Sequence, residues 1–188
     1  MKPTSDRRGG IMRLVWLGSL MMVMLAVMAQ AVPLEAADAD SVRKQVVLAA
    51  EPPDALSPSA AKQKLSAAPA NVPQPIVVVG RLGARGMEPF LEGKASFVLV
   101  EIPADDHAAK PGHDSDNCPF CKKKQAGSPM VAVQFLETDS KVIPIDSRKL
   151  FGIGKGSDVV VRGTAVFDPK LALPIIQLTA DAIFIRGK

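Results

Sequence analysis

Both histidines and both cysteines of the chain fall within fifteen residues, His107-Ala-Ala-Lys-Pro-Gly-His113-Asp-Ser-Asp-Asn-Cys118-Pro-Phe-Cys121. The spacing is His-x5-His-x4-Cys-x2-Cys. A Cys-x-x-Cys turn is short enough to bring two sulfurs to one side of an ion. Two imidazoles then complete a tetrahedral Cys2His2 set, the arrangement zinc favours. Copper(I) competes for it, because thiolate and imidazole suit that ion as well. Pro111 and Gly112 permit a tight turn before His113, and Asp105, Asp106, Asp114 and Asp116 are placed to hold imidazole N–H groups. Four protein ligands would close the site and make it structural or storage-like rather than hydrolytic. Of the four, His113, Cys118 and Cys121 form the tighter group, and His107 has a second reading as a solvated loop histidine.

Two other readings of the cysteines stay open. An exported protein commonly oxidises a pair of cysteines, although a Cys118–Cys121 ring is small and its entropic contribution limited. Cys118-Pro119-Phe120-Cys121 also resembles the C-P-[FY]-C motif of glutaredoxin-like proteins, which implies a nucleophilic first cysteine at a helix N-terminus. The Lys122–Lys124 cluster would favour a thiolate there. The preceding His-Asp-Ser-Asp-Asn is not the buried strand that family requires, and no parallel βαβ frame surrounds it. A c-type haem is excluded locally, because Lys122 and not His follows Cys121.

The rest of the 188 residues must export and frame this stretch. Residues 1–31 have the pattern of a signal peptide. Arg7, Arg8 and Arg13 are basic, Leu14–Met28 is uncharged and apolar, and Ala29-Gln30-Ala31 is a small-x-small cleavage pattern with Ala36-Ala37 as a second candidate. The apolar run is short for a membrane span of ~20 residues, so membrane attachment is expected only if the segment stays uncleaved as an anchor. General secretion fits better than twin-arginine export, since Gly9-Gly10-Ile11 follows Arg7-Arg8. The expected location is the periplasm or cell envelope.

Residues 32–75 are rich in Ala, Pro and Ser and carry no aromatic side chain. Such a composition offsets little of its ordering entropy, which predicts a disordered linker. The folded domain is then 76–188. Its fifteen Lys/Arg against thirteen Asp/Glu leave only +2, so no basic stripe for nucleic acid is evident. All seven Phe lie in this domain.

Within the domain, strand-like runs cover 76–82, 94–102, 130–136 with a return over 141–145, 156–167 and 175–186. Glycines stand inside the first and fourth, and a kink is expected near Asp181. Residues 103–129 are a polar insertion between the second and third strands. Asp146-Ser147 offers an N-cap for a short helix that Gly152 would stop. The chain thus reads as all-β with one short helix. The order, with Val77–Leu82, Gly156–Val166 and Leu178–Arg186, resembles an OB-fold, a five-stranded Greek-key barrel with a helix between strands three and four. The resemblance covers 76–187 apart from the insertion and implies a binding module, for oligonucleotides or, in exported members, for proteins or small ligands. An unknown protein or small ligand on the barrel face is the expected partner, and export disfavours nucleic acid. Arg81, Arg85, Arg148, Lys149 and Arg162 are the candidate cations of that face. Phe97, Phe135 and Phe167 alternate as core residues rather than stacking platforms. No Ser-His-Asp set, phosphate loop or carboxylate pair emerges, so a binding module is expected over an enzyme, with a thiol–disulfide role of Cys118 and Cys121 and a structural or adaptor barrel with an inert disulfide as the alternatives.

Overall fold

Val77-Val78-Val79 are β-branched, and their stiff side chains favour the extended backbone. They form the centre of β1 (Gln74–Leu82). In the computed structural model, which describes residues 34–69, 72–103, 118, 119, 123, 127–170 and 175–187, four further strands follow. They are β2 (Ser96–Val100), β3 (Met130–Phe135), β4 (Asp158–Phe167) and β5 (Ile175–Ile185). Residues 141–145 form no strand of their own but pair back through Val142 on Leu136.

The five strands make one sheet. β1 pairs antiparallel with both β2 and β4, β2 with β3, and β4 with β5, while β3 and β5 run parallel. The expected kink is a register shift. Arg162 faces Ala182 but Gly163 faces Ala180, so Asp181 is the extra residue. Gly163 is needed at that point for lack of room, since a Cβ there would stand 2.1 Å from the Thr179 carbonyl oxygen.

Between β3 and β4 lies the short helix, Ser147–Phe151. Its ends are chemical, as expected. The Asp146 carboxylate accepts from the Arg148 N–H, and Gly152 closes the helix in the left-handed region at φ 63°. Phe151 is fully buried against Phe135, ring centroids 5.0 Å apart, and edge-on to Phe97 at 6.4 Å. Phe97, Phe135 and Phe167 are thus core side chains.

The linker expectation is corrected over residues 34–69. Two helices form there, α1 (Leu34–Val46) and α2 (Pro58–Ser66), which makes the Ser147–Phe151 helix α3. Ser57 caps α2 by accepting from the Ala60 N–H, and Pro58 opens it. Ala61 is fully buried and Leu65 4 % exposed, both within the core cluster, and Ala39, Val42, Val46 and Val47 pack against that cluster. Val47 also bridges Ile183 and Leu56 bridges Val78. Ala37–Lys188 form one compact unit, so the folded domain begins well before residue 76. Composition argued for disorder because it weighs only the segment's own apolar content, whereas its order comes from packing on the sheet.

Candidate functional site

The insertion leaves β2 after Val100 and returns into β3 at Met130. The pair Leu99–Val131 closes its base. Register places the returning stem beside the start of β5, which faces the end of β4, and the outgoing stem at Val100 beside Arg81 near the end of β1. α2 touches the sheet on β1 and β4, and its first turn reaches the outgoing stem. The Glu101 carboxylate accepts hydrogen bonds from the Ser59 N–H at 3.0 Å and the Ser59 Oγ–H at 2.8 Å. An acid at a helix N-terminus is favourably placed, because it meets N–H groups that the helix itself leaves unpaired. On the returning stem Pro129 and Met130 are buried.

Of the four candidate ligands, Cys118 is described and half-buried. Pro119 and Lys123 have helical backbone and are exposed. His107, His113 and Cys121 lie outside the described residues, as does the apolar stretch 14–28. Among the described residues no three His, Cys, Asp or Glu side chains converge on one centre, and no helix is long and apolar enough to cross a membrane.

The cations proposed for a binding face are largely committed elsewhere. Arg81 Nε meets Asp158 Oδ1 at 2.7 Å, Arg148 meets Asp146 and Arg162 meets Asp181. Arg148 also lies over the Phe90 ring at 5.4 Å. Its guanidinium, helped by the N–H groups of Arg148 and Gly93, holds the Asp146 carboxyl far below the usual carboxylate range against the opposing effect of burial. These arginines fasten the fold and leave little free positive charge on the described strands.

A feature the sequence analysis missed is a shallow groove of about 240 Å³ on the outside of β2, β3 and β5, lined by Ser96, Ala132, Val133, Gln134, Ile175 and Gln177. No lining residue is charged. Its signal was present as alternation, for Ala132, Gln134 and Gln177 are the outward members of runs whose other members are core. The contact of Ser59 with Glu101 left no such signal, because it joins residues 42 apart. Comparison with protein-family models, with curated proteins and with solved structures finds no match to this chain.

Proposed function

We propose that the chain is an exported, non-enzymatic binding module: a small OB-like barrel that carries a Cys/His metal site in the insertion between β2 and β3. What supports the barrel reading is the cyclic pairing, in which β4 returns to β1, together with the parallel β3–β5 pair and the helix between β3 and β4. The observation that carries the metal reading is the concentration of every His and Cys of the chain in one insertion with both stems fixed on paired strands. His107, His113, Cys118 and Cys121 are the proposed ligands of zinc, with copper(I) the second ion. Bound metal would order the segment and neutralise two thiolates, with no open position for a substrate. A protein or small ligand is the proposed partner on the barrel face, and the uncharged groove favours a neutral surface over a phosphate backbone.

Metal analysis of protein purified reduced and metal-replete tests the reading. One equivalent of zinc, lost in Cys118→Ser, supports it. Less than about a tenth of an equivalent, unchanged by that substitution, sinks it.

One observation favours a second reading, a thiol–disulfide protein. Pro119 directly after Cys118 has helical backbone, as the C-P-[FY]-C motif that Cys118–Cys121 resembles would require. That reading expects Cys118 to alkylate rapidly at mildly acidic pH, whereas ordinary thiol reactivity counts against it.

A further inference from the structure

β4 is apolar on two faces. Val159 and Val161 belong to the core cluster. Val160 between them points the other way, as alternation in a strand requires, yet all three are fully buried. Ala182, on the same outer side of β5, is 2 % exposed. Val79 and Phe184, the register partners of Val160, are half-buried. An apolar strip therefore runs over the outside of β1, β4 and β5 and is shielded from water.

The segment 47–56 has its ends on the two flanking strands. Val47 bridges β5 at Ile183, and Leu56 bridges β1 at Val78, while β4 lies between those strands. The middle is pinned as well, since Glu51 accepts from the Arg186 guanidinium through Nε at 3.0 Å and also through Nη2. Asp54, in the left-handed region at φ 59°, turns the chain just before Leu56. Leu56 then occupies a strand edge that β2 does not reach, because β2 meets β1 only at Arg81 and Leu82.

These attachments are slighter than those of the strands. They comprise the Leu48 N–H to Ile183 O at 2.8 Å, the Leu56 N–H to Val77 O and the Val79 N–H to Leu56 O, both at 2.9 Å, one exposed ion pair, and the packing of half-buried Val47 and Leu56 on the core cluster. A segment with few backbone bonds and a solvated ion pair opens at lower free energy than the core on which it lies. We infer that residues 47–56 are a latch-held strap on a peptide-binding strip, opening as a unit of its own and freeing the β1 edge and the strip for an extended segment of the strap's pattern. The strip selects that occupant by three features. The N–H of Val79 and C=O of Val77 set the register of an added parallel strand, the apolar strip receives its hydrophobic side chains, and Arg186 receives a carboxylate five residues before the leucine equivalent. This inference does not depend on the metal reading.

Hydrogen exchange of the full chain tests the opening. The amides of Leu48, Leu56 and Val79 are expected to exchange at least about tenfold faster than those of Val161 and Leu178. Glu51→Gln should speed the first group about threefold and leave the second unchanged. A labelled synthetic peptide of residues 45–60 should then bind the Glu51→Gln, Leu56→Ala double variant at least about tenfold more tightly than the wild-type chain. A single exchange rate for both groups, moved together by Glu51→Gln, would overturn separate opening. Absence of peptide binding to a folded double variant, shown folded by its protected Val161 and Leu178 amides, would overturn the docking strip.

Discussion

Residues 103–129 contain no Val, Leu, Ile or Met, but four Asp, four Lys, both His and both Cys. The strands on either side of them are the reverse, since Phe97, Leu99, Val131 and Val133 are essentially inaccessible to water and none carries a polar side chain. Strand order here follows from apolar burial. The composition of the insertion offers no such apolar burial. The contrast separates two tasks along one chain. The sheet supplies paired stems, and the insertion carries the residues we propose as ligands. A second means of ordering appears in residues 34–69, where a segment of weak apolar content is ordered by the sheet on which it rests.

The largest test of this division is in the core. Phe135→Ala removes a ring packed on Phe97 and Phe151, and urea unfolding should show a loss of about 3–5 kcal/mol. A loss under about 1 kcal/mol would mean that the strands owe their order to something besides this burial. Gly163→Ala comes next. Its Cβ would meet backbone of β5, which cannot move aside as a side chain does. A cost of about 1–3 kcal/mol is expected, together with a lower thermal midpoint.

Asp146→Ala should cost about 1–2 kcal/mol by loss of the α3 cap. The sign of its pH dependence follows from the depressed folded-state pKa. The stabilisation is complete above the unfolded value of roughly 4 and is lost as pH falls below it toward the folded value. In the variant this part of the acid dependence of stability should vanish. Least affected should be the stability of metal-free Cys118→Ser, which ought to match metal-free wild type within about 0.5 kcal/mol, as for a substitution away from the core. A larger loss would show that the insertion supports the sheet.

The two tasks were also unequally legible. Val77–Val79, the Asp146 cap, the Gly152 stop and the irregularity at Asp181 were readable because each is local chemistry with a fixed spacing. The helices α1 and α2 were not. Ser57-Pro58 was a helix-start signal, but Ala61 and Leu65 make one short apolar step that gains its meaning only on the sheet. For the candidate site the residue types and their order are legible in His107, His113, Cys118 and Cys121, and their role as ligands is our proposal. Their mutual placement is not legible, because residues brought together by bonds to an ion need show no hydrophobic period in the sequence. The outgoing stem's contact with Ser59 belongs to the same class of long-range pairing.

The central claim is that the insertion, and not the sheet, holds the metal. X-ray absorption at the zinc edge of the metal-loaded, reduced protein tests it most directly. The expected first shell is two sulfurs at about 2.3 Å and two imidazole nitrogens at about 2.0–2.1 Å. A shell of oxygen and nitrogen alone, without sulfur, would contradict it.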